Sequence, residues 1–206
     1  MTDSFDPRPV FARAVAIGGD VIAGVKPDQL HGPTPCTEFD VSVLLDHLVM
    51  VLERTAAIGR GEPAMSVQPV ARTDGWADAW RAAAHATRDA WSDEATLDRK
   101  VELPWTTMPG ADLLRLYTSE VTVHTWDLAT ATGQRPVWDD EVVGVAFAAM
   151  QQQLPAEGRK AVIEEAMKHL PPGTPIVFPF ADAVEVPASS PPIDRLVGWT
   201  GRVPAA

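Results

Sequence analysis

Apolar side chains recur every three to four residues over most of the first two thirds of the chain, and this spacing indicates helices. The pattern is clearest over residues 41–58, where five apolar residues form one stripe: Val41, Leu44, Leu45, Leu48 and Leu52. Asp40 is a residue type that caps helix starts, and Gly59 and Gly61 terminate the pattern. The sequence therefore predicts an amphipathic helix over residues 41–58.

Two other stretches have the same helical spacing. The first covers residues 7–25, with Asp6 as its predicted cap and Pro7 as its first helical residue. The second covers residues 109–131, and Gly133 supplies the left-handed residue that commonly follows a helix.

A further helix is predicted after Asp74, which would cap it. Its large side chains share one face, as expected of a helix docked on a bundle core: Trp76, Trp80, Ala84, Thr87 and Trp91. Residues 60–73 and 93–108 are the predicted loops on either side of this helix. The four helices together favour an all-α bundle.

The C-terminal third begins with a helical stretch that Asp140 is expected to cap. It runs through Met150, with a break predicted at Pro155 and a resumption to Leu170.

The last 36 residues differ from the rest of the chain, because eight of the 19 prolines lie there and exclude a long helix. Residues 175–186 are predicted to form short extended segments, and residues 192–199 one or two helical turns. We expect residues 1–170 to form the bundle and residues 171–206 to form a Pro-rich extension packed on it.

The charge balance argues against binding to a phosphate backbone. The chain has 17 Lys and Arg against 28 Asp and Glu, a formal net charge of −11, and no run of basic residues. The sequence lacks the features of a signal peptide, and no apolar run approaches the roughly 20 residues of a membrane span. We expect a cytoplasmic protein without nucleic-acid or membrane partners.

Cys36 is the single cysteine, which excludes an internal disulfide, a CxxC redox pair and a multi-cysteine zinc site. A small apolar packing residue is the favoured interpretation. The alternative is a thiol whose pKa is lowered by the following helix N-terminus.

A group of polar residues lies on helices that are otherwise apolar. Glu120 precedes His124 by four residues, so one predicted helix presents a carboxylate and an imidazole on the same face. If the predicted helices over residues 41–58 and 109–131 are neighbours, His47 adds a third ligand from across the bundle. Such a His–Glu–His set leaves positions of a metal ion open, which is typical of a reactive site. The alternatives are an exposed Glu–His pair and a histidine satisfied within the core.

Asp127 lies three residues beyond His124 and would accept the second N–H of that imidazole, thereby orienting it. A capping or intrahelical contact of Asp127 is the alternative.

The remaining polar and aromatic candidates carry weaker signals. Two tryptophans near the proposed site either wall a pocket or simply pack: Trp105 and Trp126. Three arginines either bind carboxylates of a small ligand or face solvent: Arg54, Arg81 and Arg115. Three histidines are expected in a loop, on a surface and near a helix end: His31, His85 and His169.

Two segments resemble a known family. "TPCTEFDVSVLLDHLV" is similar to the TPC-x-x-W/F-x-V-x-x-L-x-x-H-L segment of the actinobacterial mycothiol-dependent maleylpyruvate isomerase-like proteins, and "SEVTVHTWDLATATGQ" to their E-x3-H-x-W-D-L-A-x-A-T-G signature. The closing "VPASSPPIDRLVGWTGRVP" resembles the C-terminal stretch of short, single-domain members. These proteins belong to the DinB/YfiT-like superfamily of metal-binding four-helix bundles.

The resemblance implies a metal site and a chemistry. The ligand positions of the family fall on His47, Glu120 and His124, the usual ion is zinc, and related bundles accept nickel. The implied activity is metal-dependent transfer or isomerisation in which a low-molecular-weight thiol, mycothiol, attacks an electrophilic carbon. Superfamily relatives also form homodimers.

Two rival functions fit the same ligand set. Two histidines and one carboxylate describe the facial triad of non-haem iron oxygenases, which would bind iron. A metal-binding or ligand-sensing helical module without turnover is the second rival.

Overall fold

The computed structural model of the protein describes residues 5–104, 106–167 and 180–204. Within these residues, eight α-helices and two strands follow one another, with short 3₁₀ turns at residues 27–29 and 64–66. The helices and strands have these bounds: α1 Arg8–Ala23, α2 Val41–Gly59, α3 Trp76–Ala90, α4 Ala95–Asp98, β1 Lys100–Leu103, β2 Thr106–Pro109, α5 Gly110–Thr132, α6 Asp140–Gln153, α7 Arg159–Met167 and α8 Pro192–Trp199. The all-α prediction is confirmed.

The helix that carries the first part of the site begins where the sequence predicts. The Asp40 carboxylate caps α2 by accepting the backbone N–H of Val43. Helix α1 starts one residue later than expected, at Arg8, because Pro7 occupies the cap position and Asp6 accepts the Arg8 N–H from outside the helix. Both helices thus have a carboxylate at their positive end, which stabilises them.

Two other predicted caps are wrong. Helix α3 is preceded by Gly75, not capped by Asp74, and the glycine has a φ of +75° that favours a residue without a side chain. Helix α6 is capped by Asp139 and not by Asp140, since the Asp139 carboxylate accepts the N–H groups of residues 141 and 142. Asp139 is thus a side-chain cap with extended backbone, whereas Gly75 makes no side-chain cap and only allows the turn into α3.

The predicted loop over residues 93–108 contains structure that the sequence did not indicate. Helix α4 and an antiparallel hairpin of β1 and β2 occupy this segment, with Val101 opposite Met108. Buried and exposed residues alternate over only four positions in β1, which is too short a pattern to distinguish from a loop. Trp105 lies outside the described residues.

Helices α1, α2, α3 and α5 form the bundle. Helix α2 packs against α3 and α5, and α1 packs against α5 and α3. Helices α2 and α5, which carry His47 and the pair Glu120 and His124, are therefore neighbours, as the metal-site hypothesis requires. Their apolar stripes form the main core, which includes these fully buried side chains: Leu44, Leu48, Leu52, Leu113, Val121 and Leu128.

The tryptophans of the α3 region connect this helix to its neighbours. The indole N–H of Trp80 donates to the Val15 carbonyl in α1 (3.1 Å), and that of Trp91 donates to the Thr55 carbonyl in α2 (2.8 Å). Each indole thus buries its rings and satisfies its single donor.

A second apolar cluster covers the outer face of α5, and it is built from α5, α6 and α8: Val123, Trp126, Val143, Ala146, Met150, Ile193, Leu196 and Val197. Helix α8 forms over the predicted residues. The predicted domain boundary at 170, residues 175–179 of the predicted extended segments, and His169 lie outside the described residues. Among the described helices, none is sufficiently long and apolar to traverse a lipid bilayer.

Candidate metal centre

The three predicted ligands lie together between α2 and α5. Nε2 of His47 is 3.0 Å from Oε1 of Glu120, and Nε2 of His124 is 3.5 Å from the same oxygen. One ligand atom from each of the three residues can be chosen so that all lie within 4.8 Å of one another. The i, i+4 spacing on α5 and the contact of α2 with α5 produce this convergence.

The three candidate ligands differ in their exposure to solvent. The side chain of His124 is 1% exposed, whereas those of His47 and Glu120 are 19% and 27% exposed. This difference follows from the helix faces, because the stripe of α2 buries Leu44 and Leu48 and leaves His47 at its edge. His47 and Glu120 therefore form the solvent-facing edge of the place where the three ligand atoms converge, and His124 forms its buried side.

Phe39 covers the two imidazoles. Its ring centroid lies 5.2 Å from that of His47 and 6.4 Å from that of His124. The segment before α2 is held by Thr34, whose hydroxyl shares its one hydrogen between the carbonyl oxygens of Cys36 (2.9 Å) and Phe39 (2.8 Å). The aromatic position of the TPC-x-x-W/F motif was the available sequence signal for this residue, but its place over the imidazoles depends on tertiary structure.

Asp127 contacts the Nδ1 side of the buried His124 ring, and Arg202 in turn contacts Asp127. Oδ2 of Asp127 lies 3.0 Å from Nδ1 of His124. Arg202, which follows α8, donates from Nε to Oδ1 (3.1 Å) and from Nη2 to Oδ2 (2.8 Å) of Asp127. Arg202 was not predictable from the sequence, because its partner lies 75 residues away and the WTGR segment has no local pattern that predicts an ion pair.

The charges in this chain of contacts determine that Nδ1 of His124 keeps its hydrogen when Nε2 loses its own. Burial raises the pKa of Asp127, but the hydrogen bonds from His124 and Arg202 outweigh burial and leave the pKa below its usual value. An ionised Asp127 only accepts hydrogen bonds, so Nδ1 of His124 carries the hydrogen. Nε2 is then the atom that faces Glu120 and the convergence point.

The convergence point, where the ligand atoms of His47, Glu120 and His124 meet, favours positive charge. Burial opposes ionisation of Glu120, yet the two histidines hold its pKa well below the ordinary value. Burial also opposes protonation of His124, but the carboxylates of Glu120 and Asp127 raise its pKa to about 9. Burial lowers the pKa of His47, which leaves a neutral imidazole there. Two imidazole nitrogens and a carboxylate oxygen form a donor set that fits a divalent ion such as zinc.

A second group of potential ligands overlaps the first and consists of Cys36, His124 and Asp127. Burial raises the pKa of the Cys36 thiol to about 11, so the thiol stays protonated. The alternative of a lowered thiol pKa is wrong, and the packing interpretation is favoured. His124 Nδ1 and Asp127 are also occupied by each other and by Arg202, which leaves the first group as the better site.

The other sequence candidates lie elsewhere. Trp126 packs in the cluster between α5, α6 and α8. His85, Arg81 and Arg115 form exposed or half-exposed pairs with aspartates on their own helices. An apolar groove of about 780 Å³ opens between α1 and α3, but it is separate from the three ligands and its lining is mostly aliphatic and aromatic.

Comparisons with known proteins agree with the all-α, DinB-like fold. The family model described as the mycothiol maleylpyruvate isomerase N-terminal domain matches residues 11–129, more than half of the chain. Two uncharacterised proteins of Mycobacterium tuberculosis, MT0763 of strain CDC 1551 and Rv0738 of strain H37Rv, are each 33% identical over 197 residues, which cover 96% of this chain and 98% of theirs. No solved structure matches the chain. The chain therefore belongs to the mycothiol maleylpyruvate isomerase N-terminal domain family, a DinB-like family of metal-binding helical proteins.

Proposed function

We propose that the protein holds a divalent metal ion with His47, Glu120 and His124 and acts on a low-molecular-weight thiol as a transferase or a cis–trans isomerase. The observation that carries the proposal is the convergence of two imidazole Nε2 atoms on one carboxylate oxygen, at 3.0 and 3.5 Å. Zinc is the proposed ion, with nickel and iron as the alternatives to be tested. Mycothiol is the proposed thiol, because the family is described by it.

A divalent ion in this place would act as a Lewis acid that lowers the pKa of a bound thiol, so that the thiol is available as a thiolate at neutral pH. The electrophile is proposed to be a carbon activated by a neighbouring carbonyl, epoxide or halide. Three protein ligands leave positions open for the thiol.

The residues around the ligands prepare them for this role. Asp127 accepts the Nδ1–H of His124 and keeps its Nε2 lone pair directed to the convergence point. Arg202 keeps Asp127 ionised, and the ring of Phe39 excludes water from one side of the imidazoles. The partly exposed His47 and Glu120 form the side from which a small molecule enters.

The division of the chain is part of the proposal. We infer that residues 1–170 carry the metal centre and that residues 171–206 form an extension on the bundle. The contact of Arg202 with Asp127 and the packing of α8 on α6 support this division.

The cellular setting also remains a proposal. A formal net charge of −11 and no basic run support a protein without nucleic-acid partners. We also propose a cytoplasmic location. A homodimer is proposed from the family resemblance, and size-exclusion chromatography with light scattering tests it.

Two measurements test the function. Elemental analysis of protein purified without added metal is expected to find one divalent ion per chain, and none in His47→Ala or His124→Ala. Incubation with mycothiol and a panel of electrophiles is then expected to consume free thiol, and His124→Ala is expected to abolish the loss. A protein that binds its ion yet consumes no thiol with any electrophile would instead be a binding module.

A further inference from the structure

The apolar groove of about 780 Å³ between α1 and α3 is lined by none of the three candidate metal ligands. At one end, Nη1 of Arg8, the first residue of α1, donates to the carbonyl of Trp91, which follows the last residue of α3 (3.3 Å). Farther along both helices, Nε1 of Trp80 donates to the carbonyl of Val15 (3.1 Å). The two helices are therefore antiparallel. The volume of the groove is that of a small-molecule site, roughly 300–1,000 Å³.

The groove exists because the side chains along its edges are small. Alanine or glycine recurs every three to four residues on the face of α1 that borders it: Ala12, Ala16, Gly19 and Ala23. On α3, Ala77 and Ala84 border it in the same way. The buried rings beneath these small residues form an aromatic floor: Phe11, Trp80 and Trp91. Such a surface favours an apolar occupant, because burying apolar surface is the main driving force of association.

The rim of the groove carries three arginines and one histidine, although the whole chain has a formal net charge of −11. Three of these four side chains pair with aspartates: Arg8 with Asp6, Arg81 with Asp78 and His85 with Asp89. Arg88 makes no hydrogen bond or ion pair within the part of the chain that the structure describes. Its positive charge is therefore available to a ligand.

The two uncommitted charges at the rim lie toward opposite ends of the groove. Arg88 precedes Trp91 by about one turn of helix, so it is near the end where Arg8 lies. Asp20 follows Arg8 by 12 residues, about 18 Å along α1, and it too has no hydrogen bond or ion pair among the described residues. An anionic group is favoured near Arg88 and disfavoured near Asp20.

We propose that the groove between α1 and α3 binds a monocarboxylate with a long apolar chain, such as a free fatty acid. The carboxylate lies at Arg88, and the chain follows the aromatic floor toward Ala23. This ligand matches both the apolar lining and the polarity of the rim. The inference is independent of the proposed function, because it uses none of the metal ligands.

The test is calorimetry with the full chain, at probe concentrations below those at which micelles form. Dodecanoate and dodecyltrimethylammonium have the same chain and head groups of opposite charge. The wild type is expected to bind dodecanoate at least about threefold more tightly, the effect of one surface ion pair. A chelator is expected to leave this affinity unchanged, since the carboxylate does not bind at the metal centre.

A steric variant tests where the chain lies. Ala16→Phe places a ring in the groove from an exposed position of α1 and is expected to weaken dodecanoate binding by about tenfold or more, the effect of excluding two methylene groups. Ala82→Phe is the matched control, because it adds the same ring at an exposed position of α3 outside the groove. It is expected to leave the affinity unchanged. Circular dichroism confirms that each variant is folded.

Two charge variants test the direction of the chain. Arg88→Glu is expected to abolish the preference for dodecanoate over dodecyltrimethylammonium. Asp20→Asn is expected to strengthen binding of dodecanedioate, which has a carboxylate at each end, by about threefold and to leave dodecanoate unchanged. An unchanged affinity for dodecanedioate in Asp20→Asn would contradict the proposed direction.

Three further results overturn the inference. Equal affinities of wild type, Ala16→Phe and Ala82→Phe for dodecanoate place the chain outside the groove. Binding that begins only where micelles form shows adsorption of detergent instead of a site. If dodecanoate does not bind and Ala16→Phe converts a dimer to a monomer in size-exclusion chromatography, a second copy of the chain covers the groove. Each of these results leaves the proposed function intact.

Discussion

Arg202 and Asp127 form a bidentate ion pair in the interior of the protein. Nε and Nη2 of Arg202 lie 3.1 and 2.8 Å from the two carboxylate oxygens, and the side chains are 4% and 0% exposed. Asp127 also accepts the Nδ1–H of His124. A residue beyond α8 therefore supports the buried histidine of the candidate metal centre, and the C-terminal segment and the site depend on each other.

Arg202→Met is expected to destabilise the protein and to weaken metal binding. The variant leaves the buried Asp127 carboxylate without its arginine partner, and breaking a buried ion pair costs about 3–5 kcal/mol of the free energy of unfolding. The loss of orientation at His124 is expected to weaken metal affinity by about 10- to 100-fold. Urea unfolding and competitive chelator titration measure the two effects.

The control for this prediction is Arg88→Met, which removes an exposed arginine on α3 and is expected to change the free energy of unfolding by about 0.5 kcal/mol at most. If Arg202→Met were as stable as Arg88→Met and bound metal as tightly as wild type, the supporting role of Arg202 would be rejected.

Metal binding is expected to release about one proton near pH 7.5. Burial disfavours protonated His124, but Glu120 and Asp127 raise its pKa to about 9, so the metal-free protein carries this proton at neutral pH. Burial lowers the pKa of His47, which contributes no proton. Affinity should rise with pH up to about 9 and then level off, because the displaced proton is then already absent. Calorimetry in buffers of different ionisation enthalpy counts the protons, and a value near zero at pH 7.5 contradicts this assignment.

Removing the metal should lower stability without unfolding the protein, since the main core does not include the ligands. At free zinc about 100 times the dissociation constant, binding adds about 2.7 kcal/mol to the free energy of unfolding. Thermal denaturation of wild type with zinc and with chelator is expected to show the difference, and His47→Ala is expected to show none. An equal response of His47→Ala to zinc would mean that the ion binds elsewhere.

Substitution by alanine is expected to lower the free energy of unfolding at Gly110 and to raise it at Gly144. A Cβ at Gly110 would overlap the Thr96 carbonyl oxygen of α4, at the start of the helix that carries Glu120 and His124. Gly110→Ala is expected to cost about 1–3 kcal/mol. A Cβ at Gly144, within α6, meets nothing within 4 Å, so Gly144→Ala is expected to stabilise by about 0.5–1 kcal/mol. Urea unfolding measures both changes. If Gly110→Ala left the free energy of unfolding unchanged, α4 and α5 could move apart without cost.

The sequence was sufficient for those parts of the protein that depend on local periodicity. Helices α2 and α5 end within one residue of the prediction, because their apolar stripes, the Asp40 cap and Gly133 are local signals. The proximity of Glu120 and His124 follows from helix geometry alone. The contribution of His47 required only that α2 and α5 be neighbours.

Features that depend on contacts between distant residues were not predictable. The hairpin of β1 and β2 has too few residues for a clear alternation, and the pairing of Arg202 with Asp127 joins residues 75 positions apart. The contacts of the Arg54 guanidinium with Met50 and with the Val67 carbonyl also emerge only from tertiary structure, because the sequence left ligand binding and solvation as equal alternatives for Arg54.

The central claim is that one divalent ion binds where α2 and α5 bring three side chains together. Anomalous diffraction at the zinc absorption edge, from crystals grown with zinc, tests it most directly. The account predicts a single strong peak within bonding distance of Nε2 of His47, Nε2 of His124 and the carboxylate of Glu120. A peak at Cys36 and Asp127 instead, or no peak beside His47, would contradict it.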